Sequence, residues 1–112
     1  MRSLAVSLTI MLTLISAGLA QEGQYGRYNS IARACNALLA ETNTDMFSQG
    51  FCMGMVRGII YSSVNVCPPS GANLIQAVRV VVNYADKIPE RWHEPEAKIA
   101  AEALARAWPC RR

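Results

Sequence analysis

Four cysteines, Cys35, Cys52, Cys67 and Cys110, stand in a chain of 112 residues, and they constrain its fold more than any other feature. The segment ahead of them has the layout of a secretory signal peptide. Arg2 supplies a positive start, and Leu4 to Ile15 form an apolar stretch without a charge. Ser16-Ala17-Gly18-Leu19-Ala20 then offers small residues for cleavage before Gln21. The apolar run is shorter than the roughly 20 residues a membrane-spanning helix needs, and no cysteine stands at the cleavage site to carry a lipid. The expectation is a leader over residues 1–20 and a single exported domain over 21–112. An even cysteine count in a short exported chain reads as a disulfide framework. A domain of this size buries a modest core and gains much from such staples. A zinc site is the rival reading, but there is no Cys-x-x-Cys pair and His93 is the only histidine.

Signals for helices are plentiful, and signals for strands are few. A first helix is expected from about Tyr28 to Leu39, with Ile31, Ala34, Cys35, Leu38 and Leu39 at helical spacing. Thr42-Asn43-Thr44-Asp45 breaks it and offers caps for the next helix. A second helix, from about Asp45 to Ser63, carries Phe51, Cys52, Met55, Val56, Ile59, Ile60 and Ser63 in an i, i+3, i+4 pattern. Cys67-Pro68-Pro69-Ser70-Gly71 must interrupt the chain. Asn73, with Gln76 three residues on, resembles a capping box and opens a third helix to about Lys87. Leu74, Ile75, Val78, Val80, Val81 and Val82 make that helix apolar on most sides, and it is expected to be the most buried element. Its β-branched run also suits a strand, but length and the cap favour helix. Pro89 ends it. Pro95 sits at the first turn of a fourth helix reaching about Ala107, with Ala97, Ala100, Ala101, Leu104 and Trp108 along one face. Glu94 and Glu96 near its start and Arg106 near its end complement the helix dipole, and Glu102 with Arg106 forms an i, i+4 pair.

The fold class expected is therefore all-α, a compact bundle of about four helices stapled by two disulfides. Helix geometry excludes one pairing. Cys52 and Cys67 are separated by most of the second helix, about 22 Å at about 1.5 Å per residue, far beyond the 4.4–6.8 Å or so between bridged Cα atoms. Of the two pairings left, an up-down bundle selects Cys35–Cys52 across the first hairpin and Cys67–Cys110 between the ends of the second and fourth helices.

The chemistry carried by the chain is sparse. With its cysteines paired, no nucleophilic thiol remains, and His93 stands alone between Trp92 and Glu94. There is no glycine-rich phosphate loop, no haem attachment pair and no catalytic carboxylate pair. No catalytic, cofactor-binding or metal-ligating residue is expected. Without Arg2, ten basic side chains face eight acidic ones, and this interspersed net charge of +2 gives no footprint for nucleic acid. Nor is a membrane partner expected after the leader is removed. Gly54 and Gly58 lie four apart on the second helix, where each costs about 1 kcal/mol against alanine. Close contact with the alanine-rich fourth helix is the simpler expectation, and a seam between two copies is the other. Arg91, Trp92 and His93 combine residue types enriched at binding hot spots and are candidate partner-binding residues.

The ordered elements Phe51-Cys52-x-Gly54-x-Val56-x-Gly58, Cys67-Pro68-Pro69, Gln76, Val81-Val82-x-Tyr84, Pro89 and Trp108-Pro109-Cys110 are specific in combination. Over nearly all of the exported chain they resemble the Rap/Tai family of periplasmic immunity proteins, departing at Met55, where that family often has an aromatic residue. The resemblance implies a small helical domain in the periplasm, often a homodimer, that protects bacteria from peptidoglycan amidases delivered by type VI secretion. It also implies inhibition by occlusion, with no enzymatic activity and no cofactor. A stress chaperone similar to the HdeA-like acid chaperones is the alternative on size, export and disulfides, and an orphan envelope protein of the same fold is a third.

Overall fold

The computed structural model describes residues 28–41 and 45–111. The expected leader, its cleavage before Gln21, the break at residues 42–44 and the side chain of Ile31 lie outside the described residues. Among the described residues four α-helices follow in order: α1 (Tyr28–Leu39), α2 (Met46–Ser62), α3 (Leu74–Asp86) and α4 (Glu96–Ala107), with a 3-10 turn at Pro89–Arg91. Local chemistry sets their starts. The Asp45 carboxylate accepts the Ser48 backbone N–H at 3.1 Å and caps α2. Asn73 and Gln76 close a reciprocal capping box on α3, each bond 2.9 Å long. The helical reading of the valine-rich segment is the one observed. In the loop before α3, Ala72 N–H donates to Pro69 O at 3.1 Å. Gly71, at φ +86°, takes the left-handed position that this turn needs and that glycine occupies without a steric penalty.

Neighbouring helices pack as hairpins, α1 on α2 and α3 on α4, and the two hairpins close on each other. The core comprises Ala32 and Cys35 of α1, Cys52 and Val56 of α2, Val66 of the following connection, Ala77, Val78, Val81, Val82 and Ala85 of α3, and Ile99, Ala100, Ala103 and Leu104 of α4. Ile99 and Leu104 are the largest side chains fully withdrawn from water, each stabilising the fold by roughly 1.5–3 kcal/mol.

Both disulfides join the expected partners, Cys35–Cys52 with Cα atoms 5.6 Å apart and Cys67–Cys110 with 5.0 Å. The first is part of the core, with neither residue exposed. The second fastens the chain after α4 to the chain after α2. Beside it, Val66 and Pro109 form an isolated antiparallel bridge, and Cys67 N–H donates to Trp108 O at 2.8 Å.

Three details differ from the sequence reading. Phe51 is turned outward rather than into the core. At about 100° per residue it lies more than a quarter-turn from the buried Cys52–Val56 edge of α2. On α4 the buried edge is Ile99, Ala100, Ala103 and Leu104, with Ala97 exposed, because isoleucine and leucine bury more apolar area than the alanines that also follow helical spacing. α3 turns Ile75, Arg79 and Asn83 to solvent, so one of its sides is open to water, while Ala77, Val78, Val81, Val82 and Ala85 are buried.

Candidate partner-binding surface

The connection between α3 and α4 is held by a dense polar network. The Arg91 guanidinium lies between two carboxylates. It pairs with Glu94 through Nε and Nη2. It reaches Glu102 through Nη2 at 3.0 Å and Nη1 at 2.9 Å. Tyr84 O–H donates to Glu102 Oε2 at 3.0 Å, and Lys98 Nζ reaches Glu94 at 2.7 Å. The Arg91 hydrogen bonds, followed by those of Lys98, pull the Glu94 carboxyl down to about 2. Glu102 is lowered too, chiefly by Arg91 and against some desolvation, while the Arg91 guanidinium is raised by the same two carboxylates. The expected Glu102–Arg106 pair gives way to this arrangement. Arg91 offers a bidentate geometry, and Arg106 instead lies over the Tyr84 ring, 5.5 Å from its centroid.

Trp92 is half-buried, and its indole N–H donates to Ala85 O at 2.8 Å. Of the three candidate residues in this connection, Arg91 and Trp92 therefore hold the 3-10 turn against α3 and α4, while His93 is exposed. The result is a short segment braced against α3 and α4 by side-chain hydrogen bonds.

α2 presents a second surface. Met46, Phe47, Gly50, Phe51, Gly54, Arg57, Gly58 and Tyr61 are all exposed. At about 100° per residue they share one side of the helix. Phe47 is 77% and Tyr61 83% accessible, uncommon values for aromatic side chains on a solvated helix. The close contact expected between Gly54, Gly58 and the fourth helix does not form. Among the described residues, a Cβ at Gly50, Gly54 or Gly58 would meet nothing within 4 Å. The bundle instead uses the opposite edge of α2, where Gln49, Cys52 and Val56 are buried. Gly50, Phe47 and Tyr61 were not singled out from the sequence. The signal was present, since Arg57 is the one charged residue in the seventeen of α2.

A cavity of about 160 Å³ opens where the end of α2 meets the start of α3. Ile60, Leu74 and Trp108 line it, with Arg57 and Asn73 among its polar groups. Among the described residues all four cysteines are paired. Among the described residues, no group of three or more histidine, cysteine, aspartate or glutamate side chains comes together to hold a metal, and no described helix is long and apolar enough to cross a membrane.

The family model of Rap1a immunity proteins matches residues 28–110. No curated protein and no solved structure matches the chain. The matched segment takes in all four helices and both disulfides, and the chain belongs to the Rap1a immunity protein family.

Proposed function

We propose that this protein neutralises a peptidoglycan amidase delivered by type VI secretion, binding it in the periplasm of the cell that makes both. The family match over residues 28–110 carries the reading, since membership implies an immunity function against a secreted protein effector. Two disulfides in a chain of this size suit an oxidising compartment, in agreement with the leader expected over residues 1–20. The protein acts by occlusion, as a homodimer, and performs no chemistry of its own.

The occluding element is the Pro89–Glu94 connection, with Arg91, Trp92 and His93 at its centre. A segment that enters a cleft loses affinity for every rotamer it must freeze on binding. Here Arg91 is already clamped by Glu94 and Glu102, and Trp92 is tied to Ala85 O, so little ordering is left to occur. His93 and the neighbouring Glu90 are exposed and free to meet the effector.

The test is survival of cells that send type VI amidase effectors to the periplasm while co-producing the full-length protein. Rescue against one of the amidases is expected, with loss of rescue by His93→Ala in protein of unchanged melting temperature. Lysis that continues with every amidase, despite oxidised protein in the periplasm, would refute the reading.

A further inference from the structure

We infer that the cavity between the end of α2 and the start of α3 captures the C-terminal residue of a peptide chain, an apolar side chain together with its free carboxylate. The cavity lies at the opposite end of α3 from the Pro89–Glu94 connection, about 18 Å along that helix. The inference does not rest on the amidase reading.

Size and walls set the apolar half of the ligand. The cavity measures about 160 Å³, and an apolar cavity of about 150 Å³ accepts benzene. The side chain of a leucine, isoleucine or phenylalanine is of that order. Ile60 of α2, Leu74 of α3 and Trp108 after α4 supply the apolar wall, and all three are half-buried against the core. That wall is held in place without a ligand. Cys67 N–H donates to Trp108 O at 2.8 Å, and the Cys67–Cys110 disulfide fastens the same segment. Leu74 opens α3 directly behind the Asn73–Gln76 capping box. A ligand entering such a cavity freezes few side chains of the protein.

Polar groups set the other half. Arg91 is clamped between Glu94 and Glu102, and Arg106 lies over the Tyr84 ring. Arg57, on the cavity wall, has no hydrogen bond or ion pair among the described residues. Asn73 Oδ1 already accepts the Gln76 N–H, which leaves the side-chain amide of Asn73 as a donor. Arg57 and Asn73 thus offer donors, and Tyr61 adds a hydroxyl that can donate. Their complement is a group that only accepts, and a carboxylate meets a guanidinium through two parallel bonds. The charge agrees with this. No aspartate or glutamate occurs between Asp45 and Asp86 or after Glu102, so every segment lining the cavity is free of carboxylates. Arg57 is exposed, which puts the carboxylate at the mouth and lets the peptide lead away into solvent. A carboxylate and an apolar side chain borne on one carbon are what a chain terminus presents. Phosphate would leave the apolar wall unfilled, and a neutral apolar group would leave Arg57 unused.

The experiment titrates the oxidised protein with N-acetyl-leucine, following amide and indole NMR shifts together with the heat of mixing. N-acetyl-leucine should bind saturably and shift Ile60, Leu74 and Trp108. N-acetyl-leucine amide, N-acetylglycine and inorganic phosphate should each bind about tenfold more weakly or worse. Arg57→Gln should bring N-acetyl-leucine down to the level of its amide at an unchanged melting temperature. Arg33→Gln, on the exposed side of α1, should leave binding as it is. A pentapeptide ending in leucine should bind at least as tightly as N-acetyl-leucine, and its C-terminally amidated form should lose that binding. No saturable binding, equal binding of the amide or of phosphate, shifts confined to other residues, or full binding by Arg57→Gln would overturn the inference. Isocaproate binding more tightly than the pentapeptide would give the cavity to a free carboxylic acid and overturn the peptide assignment. No amidase enters these measurements, so a failure here leaves the proposed function standing, and a failure to rescue cells leaves the cavity's ligand standing.

Discussion

Removing the Cys67–Cys110 bridge should lower stability more than its exposed position suggests. The bridge spans 43 positions of sequence, and on the chain-entropy model closing such a loop contributes about 4 kcal/mol. Cys35–Cys52 spans only 17 and contributes about 3 kcal/mol by the same model. For a domain of this size each kcal/mol shifts the melting temperature by about 4–8 °C. Cys67→Ser/Cys110→Ser should therefore melt on the order of 15–30 °C below the oxidised wild type. Without the bridge, the chain after α4 is held to the chain after α2 mainly by the Val66–Pro109 bridge and the Cys67–Trp108 backbone bond. Accessibility adds a second, kinetic expectation. Cys67 is exposed, whereas Cys35 and Cys52 are fully buried, and a reductant must reach a sulfur to attack it. Under graded reductant, alkylation and mass spectrometry should find Cys67 and Cys110 labelled first, with Cys35 and Cys52 protected until the bundle opens. Calorimetry on the double variant supplies the magnitude. A melting temperature within a few degrees of the wild type, or early labelling of Cys35 and Cys52 in folded protein, would refute the reasoning.

Three further outcomes follow from the same geometry. Leu104→Ala leaves a void at a fully buried position and should cost about 2–5 kcal/mol in urea denaturation, with a loss of 1 kcal/mol or so marking a core that collapses to fill the space. Asn73→Ala removes the reciprocal cap of α3 and should cost about 1 kcal/mol, read by the same denaturation; an unchanged midpoint would show that α3 starts independently of its cap. The Glu94 carboxyl is held at about 2 in the folded protein against an ordinary value of 4.5, so its contribution is full above about pH 4.5 and is lost as pH falls from there toward 2. Glu94→Gln should flatten that part of the stability profile, and a profile of wild-type slope through this window would contradict the assignment.

The helices and their staples were legible because their signals are local. Asn73 with Gln76, Asp45, the Pro68-Pro69 break and Pro89 each act within a few residues, and an up-down bundle then brought the cysteines together in one pairing. The phase of α2 was harder to read. With Met46, Phe47 and Phe51 on one side and Cys52, Val56 and Ile59 on the other, its apolar spacing does not say which edge is inside. α4 posed a related difficulty, since its alanines fit either face and only Ile99 and Leu104 carry enough area to decide. The clamp on Arg91 was out of reach because Glu102 and Tyr84 approach it through the packing of α3 against α4, and not through helical spacing. The same network explains why Arg91, Trp92 and His93 stand out in sequence as one cluster yet divide in the structure, two of them bracing the turn and one facing water.

The central claim is stoichiometric neutralisation of a peptidoglycan amidase. Its most direct test titrates the exported, oxidised protein into purified type VI amidases while following both complex formation and release of cleaved peptidoglycan. One amidase should bind tightly and lose its activity at a fixed ratio of inhibitor to enzyme, with nothing consumed or turned over. Undiminished cleavage by every amidase at saturating protein, without a complex in solution, would contradict it.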